Sequence, residues 1–269
     1  MKNQWDIDMK NDRIVAYLPN LFQEEVDKLV EMIKKDSPGK VIIYTTDKDS
    51  PKLKDCGLSL EAQMSGFFAG NNAYIYTCYL NEERSLSKSS LENIEVLTAV
   101  RQDKKDLAIC SHDYPISLIK DNEFEDLANL YRKVFPVYPT NVYDPTYLRE
   151  SKDTNYIFIV AKDKGKIIGA ASAMDTGYQS AEITDCAVDP NYRGKNILHF
   201  IIMELENALL KRGINNAFSI TRAKSVGMNM TVKRLGYHFE GTLTNNCIIS
   251  SGYEDMNIWT KNLVKNDGC

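Results

Sequence analysis

The stretch CAVDPNYRGKNIL, residues 186–198, carries the most information about this chain. Its pattern predicts a strand that runs through a basic loop into an amphipathic helix over residues 197–211. The free N–H groups and the dipole of a first helical turn attract anions, and Arg193 and Lys195 add positive charge. Gly194 lets the backbone approach a ligand closely, because it has no β-carbon. The sequence therefore predicts a pyrophosphate site; a plain strand-to-helix turn with solvated basic residues is the alternative.

The elements around this stretch predict an α+β domain. From residue 115 onward the patterns give one strand, two helices, three strands, a helix, a strand, a helix and two final strands. The three consecutive strands, at residues 154–162, 166–175 and 180–190, are joined by short turns, so they are expected to form an antiparallel meander. A mixed, mostly antiparallel twisted sheet flanked by helices follows from this order.

The first half is predicted to be a smaller α/β region. Its pattern gives a helix at 20–35, a buried strand at 41–45, a short helix to residue 55, and a hairpin of strands at 58–68 and 73–80. The polar N-terminus MKNQWDIDMKND is assigned no helix or strand. The polar segment 81–94, with a helix from about residue 90 to 105, is interpreted as a link, which divides the chain into domains 1–110 and 111–269.

Composition excludes several functional classes. A hydrophobic fraction of 43% and a charged fraction of 26% are typical of a globular protein. A net charge of -4 argues against nucleic acid and suits a small cationic substrate. The 6 cysteines and 3 histidines are scattered, so we expect no disulfide framework, no metal site and no Ser/His/Asp triad. The absence of a leader pattern and of a long apolar run predicts a soluble, cytoplasmic protein with no membrane partner.

The loop and its surroundings resemble the GNAT superfamily of acetyltransferases, whose coenzyme loop is commonly written [QR]-x-x-G-x-[GA]. Arg193 matches the first position, while Asn196 replaces the first glycine and Leu198 the final small residue. Asn adopts left-handed backbone angles more readily than most residues, so it is tolerable there. The segments AEI at 181–183, CAVDP before the loop, and LGY at 235–237 lie where the superfamily has them.

The resemblance implies acetyl-CoA as cosubstrate and gives roles to individual residues. Glu182 matches a position of the general base, and Asp185 is the second candidate, able to hold the substrate ammonium. The usual catalytic tyrosine is replaced by Val232, and Asn229 matches a contact to the pantetheine arm. The expected coenzyme contacts are Cys186, Ala187, Val188, Arg193, Gly194, Lys195, Asn196, Ile197, Leu198 and Asn229.

Across nearly the whole chain the sequence also resembles the β-lysine N-acetyltransferases of anaerobic archaea and bacteria. The matching segments are LEAQMSGFFAGNNAY, SVGMN, LGYHFEGTLTNN and YEDMNIWTKNL. The resemblance implies acetylation of the terminal amine of β-lysine, giving the osmoprotective solute ε-acetyl-β-lysine. Such a substrate needs acidic partners, a carboxylate donor and aromatic walls. The candidates are Glu61, Asp185, Glu240 and Asp255 for the ammonium groups, Arg222, Asn245 and Asn246 for the carboxylate, and Tyr138 and Tyr143 as walls.

The first half repeats the order of the final quarter. Each has a strand, a helix that ends at a glycine, and two further strands, and in each a Glu lies four residues after that glycine: Glu61 after Gly57, and Glu240 after Gly236. We interpret the first half as a partial GNAT-like half that lacks the phosphate loop and walls the amine pocket; chance similarity is the alternative.

Two other functions stay open from the sequence. One is a GNAT enzyme for another small amine or a protein amine, because the coenzyme half does not specify the acceptor. The other is a non-catalytic acetyl-CoA or amino-acid sensor, which the altered loop and Val232 make conceivable. The expected partner is a small-molecule amine, and the sequence leaves a homodimer open.

Overall fold

The structure, a computed structural model, describes residues 1–105, 113–249 and 252–264. These residues form two mixed sheets and seven α-helices. The first sheet contains β1 Gln4–Asp8, β2 Arg13–Leu18, β3 Lys40–Thr45, β4 Ser59–Phe68 and β5 Asn71–Tyr79. The second contains β6 Ile116–Leu118, β7 Tyr156–Asp163, β8 Lys166–Asp175, β9 Ser180–Val188, β10 Asn216–Arg222, β11 His238–Ile249 and β12 Gly252–Asn262. The helices are α1 Gln23–Asp36, α2 Pro51–Asp55, α3 Ser90–Gln102, α4 Phe124–Val134, α5 Pro145–Thr154, α6 Ile197–Lys211 and α7 Val226–Arg234.

The second sheet has the α+β architecture that the sequence predicts, with strand order β11-β12-β10-β9-β8-β7-β6. β7, β8 and β9 are antiparallel neighbours, as expected from their short connections. β7 is apolar along its length because helices cover both faces of the sheet. Ile157 and Ile159 pack with α3, α6 and α7, whereas Phe158 and Val160 pack with α4 and α5.

The helix ends follow local chemistry. The Asp144 carboxylate caps α5 by accepting from the Thr146 amide at 2.8 Å, and Pro145 occupies the first helical position. After α6, the backbone turns at Gly213, whose φ is +78°, and the Ile214 amide donates to the Leu209 carbonyl. These signals placed the helices of the second half within a few residues of their observed bounds.

Two strands of the first sheet lie where the sequence analysis assigned none. β1 pairs antiparallel with β2, joined by a short 3₁₀ turn at Met9–Asn11. The side chains of β1 are mostly exposed at the sheet edge, so its sequence QWDID lacks an apolar signal. β2 is largely buried and pairs parallel with β3, and its segment RIVAYL has the apolar, β-branched residues of a buried strand.

The first sheet repeats the topology of the second half of the larger sheet. Its strands β2-β3-β5-β4 match β9-β10-β12-β11 in order and in direction, with one parallel pair followed by two antiparallel pairs. Gly57 and Gly236 end the corresponding helices with φ values of +80° and +86°.

The two repeats contact each other in a reciprocal way. The Glu61 carboxylate accepts from the Thr244 amide at 2.9 Å, and the Glu240 carboxylate accepts from the Ser65 amide at 2.8 Å. Thr244 and Ser65 both lie eight residues after their helix-ending glycine, so the two contacts involve equivalent positions of the two repeats. A β-carbon at Gly241 would lie 2.6 Å from that of Ala62, so glycine is required where β11 crosses β4.

Helix α3 packs with the second half, although the sequence analysis placed it in the link of the first. Val96 and Val100 belong to the core cluster formed with α6 and α7. The Asp103 carboxylate, just after α3, pairs with Arg234 at 2.9 Å. The predicted boundary at residue 110 lies outside the described residues, as do Cys110, His112 and Cys269. In the described parts of the chain, no helix is long and apolar enough to span a bilayer.

Candidate functional site

A cavity of ≈ 1020 Å³ opens where β9 and β10 separate, and both sheets line it. The two parallel strands are paired only from Ser180 to Glu182 on β9 and from Asn216 to Phe218 on β10. Beyond these residues the strands diverge, which leaves a slot between them. The cavity extends from the basic loop before α6 to the inner face of the first sheet. It is large enough for a ligand with a long arm and for a second small molecule.

The basic loop has the geometry of an anion site. Gly194 and Asn196 have φ values of +78° and +56°, so Asn196 does adopt the left-handed conformation that its family position requires. Asn196 precedes α6, and the first N–H groups of a helix have no acceptor within the helix. Arg193, Lys195, Ile197 and Leu198 also line the cavity. All six predicted loop residues therefore meet at its rim, and Leu198 lines the crevice without filling it.

The lysine of the loop is held by aromatic side chains. The Lys195 ammonium donates to the Tyr114 hydroxyl at 2.8 Å and lies 5.3 Å from the ring centres of Tyr114 and Tyr192. Arg193 is exposed at the mouth of the cavity. The two cations and the helix N-terminus together create a positive rim in a protein with net negative charge.

The end of β9 presents a backbone amide to the slot. The Asp189 amide donates to the Ile168 carbonyl beside β8 at 2.9 Å. Because amide direction alternates along the regular end of the strand, the amide of Val188 points to the opposite edge, from which β10 has diverged. Ala187 does not line the cavity; its amide points toward β8 and its side chain is buried under α4. Of the three predicted strand contacts, Val188 and Cys186 line the cavity and Ala187 does not.

Glu182 is placed as a base would need to be. Its side chain lines the cavity, is half-buried, and makes no hydrogen bond or ion pair with the described residues. Burial raises its pKa to about 7; the nearby Asp185 also raises the pKa, and Arg13 lowers it. A carboxylate with a pKa near neutrality can accept a proton from an amine and release it again.

Asp185 has a different environment. It lies on a bulge of β9 with φ of +50°, and its carboxylate accepts from the Ser172 hydroxyl at 2.5 Å. Burial raises its pKa, while hydrogen bonds from Ser172 and Tyr138 lower it. The Ser172 hydroxyl already occupies one oxygen of this carboxylate, whereas the Glu182 carboxylate has no such partner among the described residues. The Tyr138 ring lines the cavity, whereas Tyr143 does not.

The structure corrects the predicted pantetheine contact at Asn229. Asn229 is fully buried below the cavity wall, and its amide oxygen accepts from Thr221, Asn257 and Trp259 at 2.8–2.9 Å. Its amide nitrogen donates to backbone carbonyls at the start of α7. All its polar atoms are used, so it holds α7 against the sheet instead of meeting a ligand. Val232 is likewise buried in the core and cannot act as an acid.

Besides Asp185, two of the predicted substrate residues reach the cavity. Arg222 and Asn246 line it. The Arg222 guanidinium is engaged by Glu254 through two contacts of 2.6 and 2.7 Å, which orient it. The Asn246 side chain has no partner on its buried amide oxygen within the described residues.

The other four predicted substrate residues, apart from Asp185, lie outside the cavity. Glu61 and Glu240 bind the backbone amides that join the two repeats, and Glu61 also pairs with Lys40 at 3.0 Å. Asp255 accepts from the Asn245 amide at 2.7 Å, and Asn245 donates to the carbonyls of residues 84 and 86. Each is satisfied by protein partners, so none of the four is free for a substrate.

The first sheet supplies a wall of the cavity that the sequence analysis anticipated only in general terms. The lining side chains from its strands and first turn are Asp6, Asn11, Arg13, Val15, Tyr17, Ile42 and Tyr44. Burial raises the pKa values of Tyr17 and Tyr44, and the nearby Glu182 raises both further. Both hydroxyls are therefore protonated at neutral pH and stand near the proposed base. In the described residues, no group of His, Cys, Asp and Glu has the arrangement of a metal site.

Comparison with known proteins gives matches over the whole chain and over its second half. The profile of the Acetyltransferase (GNAT) family matches residues 124–237. An N-acetyltransferase named YodP, from Bacillus subtilis, is 34% identical over 94% of this chain and 93% of its own length. A β-lysine N(6)-acetyltransferase from Methanosarcina mazei is 29% identical over 90% of this chain and 98% of its own length.

Two solved structures share the fold of the second half. An N-acetyltransferase from Staphylococcus aureus covers 57% of this chain and all 100% of its own, with a TM-score of 0.50 and 18% identity. An aminoglycoside 6'-N-acetyltransferase complexed with coenzyme A covers 57% of this chain and 99% of its own, with a TM-score of 0.50 and 17% identity.

Proposed function

Because this chain belongs to the GNAT family of acetyltransferases, we propose that it transfers the acetyl group of acetyl-CoA to the terminal amine of β-lysine. The product is N-ε-acetyl-β-lysine, a net-neutral compatible solute. Support comes from relatives named β-lysine N(6)-acetyltransferase that are 29% identical over at least 90% of this chain. The family supports N-acetyltransferase activity, and we propose β-lysine as the acceptor.

The residues of the cavity fit acetyl-CoA. The left-handed loop before α6, its free amides, and the cations Arg193 and Lys195 suit the diphosphate. The slot between β9 and β10 suits the extended pantetheine arm. Acetyl-CoA supplies an activated thioester, and the amide of Val188 is a donor available to polarise its carbonyl.

Glu182 is the residue that we propose accepts the proton of the substrate ammonium group. Its unpaired, half-buried carboxylate has a pKa of about 7, whereas an alkyl ammonium holds its proton well above neutrality. The carboxylate attracts the ammonium into the cavity and accepts its proton directly or through one water, which leaves a neutral amine nucleophile. The hydroxyls of Tyr17 and Tyr44 near this carboxylate can hold such a water.

A turnover experiment tests the proposal. The purified full chain is mixed with acetyl-CoA and with β-lysine, α-lysine or a peptide that has a free N-terminus, and released thiol is measured. We expect thiol release to be at least about tenfold faster with β-lysine, because binding groups matched to the substrate discriminate by this factor per polar contact. Mass spectrometry and NMR of the product should place the acetyl group on the terminal nitrogen.

Other outcomes point to the alternatives. Faster release with α-lysine or the peptide would contradict the β-lysine assignment and favour another amine on the same fold. Coenzyme binding without thiol release, for any acceptor, would favour a sensor.

A further inference from the structure

We propose that Arg13 and Asn246 form a subsite for the zwitterionic head of a free amino acid, with Arg13 binding the carboxylate and Asn246 the neighbouring ammonium group. This inference rests on the proposed function, because it assumes that the terminal amine of the same molecule lies at Glu182. It adds a requirement for the acceptor: a charged amino-acid head group, which simple diamines and internal protein side chains lack.

Arg13 has spare hydrogen-bond donors in the cavity. Its Nε donates to the Asp8 carboxylate at 2.9 Å, and its Nη2 lies 2.9 Å from the same oxygen. Its Nη1 donates to the backbone carbonyl of Asn246 at 2.9 Å. A guanidinium has five N–H donors, so two are left for a ligand. Asp8 fixes the plane of the guanidinium, which prepares it for an anion.

Asn246 supplies the complementary acceptor. The residue is only 6% exposed, it lines the cavity, and its amide oxygen has no hydrogen-bond partner among the described residues. An unsatisfied buried acceptor is unfavourable, so native proteins rarely keep one without a ligand or water to fill it. An ammonium group is such a donor. Because the Arg13 guanidinium contacts the backbone of Asn246, the cationic donor and the neutral acceptor are adjacent.

The subsite is held rigidly by the bulge that carries Asn246. The pairing of β11 with β12 shifts between Leu243 and Cys247, which leaves residues 244–246 out of register. Asn245 takes a left-handed conformation with φ of +44°, and its amide is held by Asp255 at 2.7 Å. The buried guanidinium of Arg84 donates to the Asn245 carbonyl at 3.2 Å. Asn245 and Asp255 therefore act as positioning residues for Asn246.

The charges along the cavity suit one extended diamino acid. Glu182 is the anionic partner for the amine that reacts, and Arg13 lines the same cavity. One small molecule can therefore reach both residues. An amine without a carboxylate would leave the Arg13 donors unmatched, and a peptide N-terminus has no free carboxylate next to its amine.

The test compares two acceptors in matched variants. For Arg13→Gln and for Asn246→Leu, we measure kcat and KM with β-lysine and with 1,4-diaminopentane, which is β-lysine without its carboxylate. We expect kcat/KM for β-lysine to fall roughly 10- to 100-fold, mainly through KM, because each variant removes hydrogen bonds to a charged group. For the diamine, Arg13→Gln should change kcat/KM less than about threefold. Arg212→Gln, an exposed arginine after α6, is the control and should change neither.

The outcomes separate the subsite from the proposed function. The subsite is overturned if Arg13→Gln lowers kcat/KM equally for both acceptors. It is also overturned if neither variant lowers kcat/KM for β-lysine. If the wild-type protein turns over neither acceptor, the proposed function fails instead. Calorimetry with coenzyme A present then decides the subsite: β-lysine must bind more tightly than 1,4-diaminopentane to the wild type, and Arg13→Gln must remove the difference. Asn246→Leu leaves the Arg13–Asp8 pair intact, so it stays informative if Arg13→Gln unfolds.

Discussion

Replacing Glu182 by glutamine should inactivate the protein and stabilise its fold. Burial raises the pKa of Glu182 from 4.5 to about 7, so the ionised carboxylate is disfavoured in the folded state. A shift of that size corresponds to roughly 3 kcal/mol when the group is fully ionised. The side chain is half-buried, and solvent screening reduces the effect, so we expect a gain of about 1–2 kcal/mol for the neutral variant.

The sign of this effect depends on pH. A carboxyl group whose pKa is higher in the folded than in the unfolded state lowers the free energy of unfolding as pH increases from about 4.5. The decrease is complete above about pH 7, where the group is ionised in both states. Glu182→Gln should therefore match the wild type in thermal unfolding near pH 4.5. At pH 8 it should unfold several degrees higher, at about 2–4 °C per kcal/mol for a chain of this size. Glu150→Gln, at an exposed position of α5, is the matched control and should show no such gain.

The activity of the same variant completes the test. Wild-type kcat/KM should increase with pH up to about 7 and then level off, because the free carboxylate must be ionised to accept the proton. Glu182→Gln should lose roughly 10²- to 10⁴-fold in kcat/KM and should lose that pH dependence. A variant that keeps more than a tenth of the activity, or that gains stability equally at both pH values, would contradict the assignment of Glu182 as the base.

Three further substitutions test other parts of the structure. Gly194→Ala should raise the KM for acetyl-CoA several-fold, because a backbone φ of +78° is less favourable for alanine than for glycine by about 1 kcal/mol. Gly213 has the same φ beyond the far end of α6, so Gly213→Ala is the control and should leave this KM unchanged. Asn229→Ala should lower the free energy of unfolding by roughly 3 kcal/mol or more in denaturant titrations, because it leaves buried hydrogen-bond donors without an acceptor. The KM of the protein that remains folded should not change. Glu61→Ala should cost roughly 3–5 kcal/mol at pH 7, measured in the same way, because it leaves the buried Lys40 without its carboxylate.

The coenzyme end of the site could be predicted because its residues are contiguous. One loop and one helix start supply the basic residues, the glycine and the left-handed Asn196, and all of them stand within residues 193–198. The fold of the second half was equally accessible, since β7 is a clear apolar run and α6 has a clear end signal. Local chemistry dictates these features, so local sequence reveals them.

The acceptor end could be predicted only in part: Asn246 and Arg222 were candidates by residue type, but Arg13 was not, because these residues meet only after long-range folding. Arg13 and Asn246 are separated by 233 positions, and they meet because β2 lies beside the bulge of β11. Asp255 and Asn245 have the residue types of a binding site, but folding turns them toward each other instead of toward the cavity. Composition identifies polar residues, whereas the register of β11 determines which of them faces a ligand.

A crystal structure of the protein with coenzyme A is the most direct measurement. We predict electron density for the diphosphate at the amides of Ile197 and Leu198, beside Arg193, and for the pantetheine arm between β9 and β10. Its thiol should point toward the part of the cavity that contains Glu182. Coenzyme bound elsewhere, or a loop that shows no density at saturating coenzyme, would contradict the proposed site.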